Sequence, residues 1–124
     1  MHNYMRLKIW SESMDLVQTI YDATSQFPSH EKYGIVSQMT RAAVSIPSNI
    51  AEGAGRDTDK EFCHFLSIAL GSSYELHTQV ILCERIGYFD HEQSATLQDL
   101  IVKEQQLIMS FRHKLSTNQQ PILH

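Results

Sequence analysis

Apolar residues recur along the chain at three- and four-residue spacings, in four blocks separated by short polar, proline- or glycine-marked stretches. That spacing matches one face of an α-helix, so each block predicts an amphipathic helix. The first covers about 9–26: Trp10, Met14, Val17, Tyr21 and Thr24 form a stripe, widened by Ile9, Leu16, Ile20 and Phe27. Glu12, Asp15, Asp22 and Gln26 take its wet side, Trp10 staples its start to the core, and Pro28 stops it. The second runs over about 32–54, with Ile35, Val36, Met39, Ala43, Ile46 and Ile50 facing inward. Thr58 and Glu61 form a capping box that opens the third. Its core stripe is Phe62, Leu66, Ala69, Ser73, Leu76, Val80 and Cys83, and Gly87 closes it. Asp90, with Gln93 three residues on, caps the fourth, whose stripe is Leu97, Leu100, Ile101, Leu107, Ile108, Phe111 and Leu115. The expected class is all-α, an antiparallel up-down-up-down four-helix bundle over residues 9–115, with a leader at 1–8 and a flexible tail at 116–124.

The second block is unusual. Pro47 sits inside its periodic pattern, where it removes a backbone hydrogen bond and clashes with the carbonyl of Ala43, so a kink is expected. Ser45, Ser48 and Asn49 flank that point with side chains able to satisfy freed backbone groups, and Gly53 and Gly55 suit a helix C-terminus. Residues 45–53 read first as a bent structural helix and second as a polar notch that binds something.

Short connections make neighbouring helices antiparallel. With helices 2 and 3 turning near Asp57, residues whose numbers sum to roughly 115 face one another. Gly71 then falls opposite Val44 and Ser45, where it allows close backbone approach, and Arg41 falls near Glu75, which predicts an ion pair that sets register. Helix 3 carries a second apolar stripe, Phe65, Ile68, Leu82 and Ile86. A helix apolar on two sides packs on more than its own bundle, so these four are the candidate oligomer interface.

At this point the residues resemble a known family. Arg41 and the run Ser45-Ile46-Pro47-Ser48-Asn49-Ile50-Ala51-Glu52-Gly53, with Arg56 after it, are similar to the signature of the four-helix-bundle proteins encoded in intervening sequences of bacterial large-subunit ribosomal RNA. The accessory variability protein of diversity-generating retroelements is a relative of that family. Leu7 to Trp10, Phe27-Pro28, Tyr33-Gly34, Glu61-Phe62, Phe65-Leu66, Ala69 to Ser72 with Gly71, Glu75 and Gly87-Tyr88 follow in order, so the likeness spans about residues 7–115. The resemblance implies a bundle assembled into a ring-like homopentamer and no established enzyme activity. For part of the family it implies nucleic-acid contact through a basic surface.

Composition tempers that last implication. The chain has 124 residues, enough for one domain with a real core, and a net charge of −4, whereas duplex-binding domains are usually basic. The basic residues are nonetheless gathered: the bundle topology places Arg6, Lys8, Arg56, Lys60, Arg112 and Lys114 at one end, six of the ten, diluted by Asp57, Asp59 and Glu61. That end reads as a solvated surface or as a docking face for RNA or an acidic protein. Residues 1–8 lack the apolar segment of a signal peptide, and no run approaches the ~18 apolar residues of a membrane span, so a cytoplasmic protein without a membrane partner is expected.

No constellation points to catalysis or a cofactor. A di-iron bundle needs Glu-x-x-His on two helices, and Glu61-Phe-Cys-His64 supplies it once, with Glu61 better used as a cap. Gly53-Ala-Gly-Arg56 precedes a helix N-terminus but lacks the Lys-Ser/Thr of a nucleotide loop, and Asp57 and Asp59 would repel phosphate. Cys63 and Cys83, twenty residues apart on one helix, lie ~30 Å apart and cannot bridge. Neither a metal nor a cofactor is expected. The partners expected are further copies of the chain, with RNA or a nucleic-acid-handling protein as the alternative.

Overall fold

Local capping sets where the helices start and stop in the computed structural model, which describes residues 1–119. Four helices follow in order: α1, Lys8–Thr24; α2, Ile35–Ala54; α3, Asp59–Arg85; and α4, His91–Gln119. Thr58 Oγ1 accepts from the Glu61 amide at 3.1 Å, while its hydroxyl donates to Glu61 Oε1 at 3.1 Å. At α4 the box is reciprocal: Gln93 N–H donates to Asp90 Oδ1 at 2.7 Å, and Asp90 N–H donates to Gln93 Oε1 at 3.0 Å. α3 ends in a Schellman motif, with the Tyr88 amide on the Cys83 carbonyl at 2.8 Å and Gly87 at φ +88°, a conformation that favours glycine. Pro47 lies within the unbroken span of α2.

Contacts between helices identify the packing. Ser45 meets Ser72, Met39 meets Cys83, Cys63 meets Arg112 and His77 meets Gln98, so α3 runs antiparallel to α2 and to α4. The α2–α3 pairs sum to 117 at Ser45–Ser72, near the expected 115, and to 122 at Met39–Cys83, so the register holds near the turn and drifts away from it. α1 packs on α2 and α4, closing a four-helix bundle with no strand among the described residues. Its core is Ile9, Leu16 and Ile20, Met39, Ile46 and Ile50, Phe62, Leu66, Leu76 and Val80, and Leu97, Ile101 and Ile108.

Several expectations are corrected. On α1 the inward row is Ile9, Ser13, Leu16, Ile20 and Thr24, whereas Met14 and Tyr21 are exposed. Ser13 and Thr24 bury easily because each hydroxyl donates to a carbonyl of its own helix, at Trp10 and Ile20. On α4, Leu100 is exposed, while Glu104 and Gln105 are buried. Gly71 does not permit close approach: it is exposed, and a Cβ there meets nothing within 4 Å. Gly53, in the last turn of α2, does so instead, and Gly55 caps the helix at φ −84°, where glycine is not required.

The leader is docked rather than loose. The His2 amide donates to the Ala54 carbonyl at 2.8 Å, its ring lies 2.9 Å from Asp59 Oδ1, and it packs on Phe62 and Phe111. At the far end Tyr88 donates to Glu31 Oε2 at 2.7 Å and its ring packs against Phe27, tying the two loops there. The tail expected at 116–124 begins as helix, since α4 continues through Gln119; residues 120–124 lie outside the described residues.

Candidate functional site

The signature stretch builds a polar seam between α2 and α3. Asn49 Nδ2 donates to the Ser45 carbonyl at 2.8 Å and to Ser45 Oγ at 2.9 Å, and Ser45 Oγ lies 2.8 Å from Ser72 Oγ. Asn49 therefore holds Ser45 against α3; it does not serve the Ala43 carbonyl that Pro47 leaves open. Ser72 is the partner that sequence reasoning missed, although the register placed it beside Ser45. Ile46 and Pro47 are buried on the core side, and Ser48 is exposed. Arg41 and Glu75 line one depression of about 370 Å³ with Gln38, Ser45 and Ser72, but they do not form the expected ion pair. Glu75 Oε1 accepts from Gln79 Nε2 at 3.4 Å instead. Both charges are exposed, where pairing gains little over hydration and costs side-chain entropy.

At the α2–α3 turn the other signature residues serve the backbone. A Cβ on Gly53 would sit 2.6 Å from Phe65 Cβ. Arg56 Nη2 lies 3.1 Å from Glu52 Oε1, and its guanidinium stacks 4.7 Å from the Phe65 ring centroid. Phe65, half-buried under that arginine, belongs to the seam.

The basic end comes together in part. Lys60 of α3 and Arg112 of α4 line one groove of about 570 Å³, with Cys63, Ser67, Met109 and His113. Arg112 donates to Ser67 Oγ at 3.1 Å. Arg6, Lys8 and Lys114 are exposed and are not among the residues that line this groove.

A row along α3 and its C-cap faces outward: Ile68, Gly71, Glu75, Thr78, Leu82 and Ile86, all exposed, at three- and four-residue steps. Ile68, Leu82 and Ile86 expose 40%, 46% and 51% of their surface.

The chemistry available is limited. Among the described residues no group of three or more His, Cys, Asp or Glu is placed to hold a metal ion, and no helix is long and apolar enough to cross a membrane. Burial pushes the Cys83 thiol up to about 11, with Glu31 adding to the shift, so it stays a thiol at neutral pH. The most perturbed carboxyl is one the sequence did not single out. Glu104, between α1 and α4, is pushed up to about 8, first by burial and then by the charge of Glu12, against the opposing pull of Lys103.

The profile of the 23S rRNA-intervening sequence protein family matches residues 5–110. The chain belongs to this family. A search of curated proteins finds no match. Among solved structures, the crystal structure of a protein of unknown function from the S23 ribosomal protein family, from Bacteroides thetaiotaomicron, is similar. The two are 21% identical with a TM-score of 0.75, over 84% of this chain and 97% of that one. That likeness shows the shared fold. No enzymatic family is indicated for this intervening-sequence protein.

Proposed function

We propose that this intervening-sequence protein is a non-enzymatic, cytoplasmic interaction protein that assembles copies of itself through the outward face of α3. The carrying observation is the exposed row of Ile68, Leu82 and Ile86 on a helix whose other face already fills the core. Scattered surface leucines need no explanation, but Leu82 and Ile86, one turn apart and in line with Ile68 beyond Gly71, Glu75 and Thr78, form the kind of surface that self-association buries. A closed ring of five is the form the resemblance implies. Native mass spectrometry at low salt is expected to give about 71 kDa, five times 14.2 kDa. Leu82→Lys combined with Ile86→Lys is expected to give a folded monomer by mass and circular dichroism. A monomeric wild type would overturn the reading.

The groove holding Lys60 and Arg112 favours a second reading, an accessory protein that contacts RNA. Charge reversal at Arg56, Lys60 and Arg112 is then expected to weaken single-stranded RNA binding by at least about tenfold and flatten its dependence on salt. Affinity unchanged in a titration across salt concentrations would remove this face as the site.

A further inference from the structure

One ionisable side chain points into the interior without a partner. Glu104 is 2% exposed, and neither carboxyl oxygen has a hydrogen-bond partner among the described residues. It lines a largely enclosed cavity of about 40 Å³ with Glu12, Asp15 and Thr19 of α1 and Lys103 of α4. At that cavity Lys103 Nζ lies 3.5 Å from Glu12 Oε1. The cavity sits in the α1–α4 seam, the most sparsely packed of the four seams in the bundle. Glu12 and Lys103 are the charges that act on Glu104, and α2 and α3 bring none to it.

An unpaired, ionised carboxylate is expensive to bury, so a group in this position keeps its proton while the helices stay closed. We propose that Glu104 is a proton-controlled latch on the α1–α4 seam: neutral, it lets the two helices close; ionised, it drives them apart. Three features make separation the response. The carboxylate would face Glu12, and the one cation in reach, Lys103, already engages Glu12. The cavity has room for no more than a few water molecules, too few to hydrate a carboxylate. Opening this seam breaks fewer contacts than opening any other, so α1 yields first. The latch lies away from the outward row of α3 and does not depend on self-association.

Hydrogen exchange of the full chain from about pH 6 to about pH 9, corrected for intrinsic rates, tests this together with Glu104→Gln, which keeps the shape without the charge. In the wild type, protection of α1 and the middle of α4 is expected to fall about tenfold per pH unit up to about pH 8 and to level off above it, while α2 and α3 hold. The glutamine variant is expected to stay protected throughout. Carbon-13 carboxyl titration of wild-type Glu104 gives an independent readout should the variant fold poorly. A Glu104 midpoint near the ordinary 4.5 would overturn the latch. So would equal loss in the variant, or loss spread evenly over all four helices.

Discussion

Gly53→Ala is expected to lower stability by about 3 kcal/mol, although alanine is the better helix former by about 1 kcal/mol. The added methyl would lie 2.6 Å from Phe65 Cβ and 2.8 Å from Phe62 Cδ1. A ring edge can rotate aside, but a Cβ moves only with its backbone, so α2 and α3 must separate at their closest approach. Separation there loosens Phe62, which is fully buried, and the stacking of Arg56 on Phe65. Gly71→Ala is the matched control. Its new methyl meets nothing within 4 Å, so it is expected to stabilise the chain by up to about 1 kcal/mol. Urea denaturation of the two variants beside the wild type decides the matter. A Gly53→Ala midpoint at or above that of the wild type would mean the seam tolerates the methyl.

The second large effect is a dependence of stability on pH that runs opposite to that of an ordinary acidic protein. The folded chain holds the Glu104 proton more tightly than the unfolded chain, because its carboxyl is pushed from 4.5 up to about 8. Below about 4.5 both states are protonated and the group is neutral in its effect. Between there and about 8 the unfolded chain releases the proton first, so stability falls as pH rises. The full loss is on the order of 5 kcal/mol. Glu104→Gln removes that slope and is expected to leave the protein markedly more stable than the wild type at pH 8, with the two converging near pH 5. Urea midpoints for both proteins across that range check it; parallel curves would show that Glu104 ionises freely in the folded state.

Much of the bundle was legible in the residues, and the pieces that were not share a cause. Thr58, Gly87 and Asp90 mark helix ends through contacts made within a few residues, so their chemistry can be read locally. The α2–α3 register followed from a short turn and the geometry of antiparallel helices, and Ser45 beside Ser72 bears it out. The exact face of α1 did not follow. Ser13 points inward and Met14 and Tyr21 outward, against their hydropathy, because the side chains of α2 and α4 determine which row is covered. Likewise, Gly53 and Gly71 look alike as helical glycines; only Phe62 and Phe65 across the seam distinguish them. Arg41 and Glu75 were placed on the correct surface, yet water competes with the ion pair there.

The sequence by itself determined that this chain forms four helices, where capping and punctuation place their ends, how α2 meets α3, and which family it belongs to. These rest on interactions within one turn of helix or across one short connection, and on a run of residues with a specific order. The tertiary structure alone decided that Glu104 lies buried beside Glu12, that Ser13 faces the core, and that Gly53 rather than Gly71 lies at the close approach of α2 and α3. Burial and local charge belong to the meeting of two or more helices, and no single helix carries that information in its own residues.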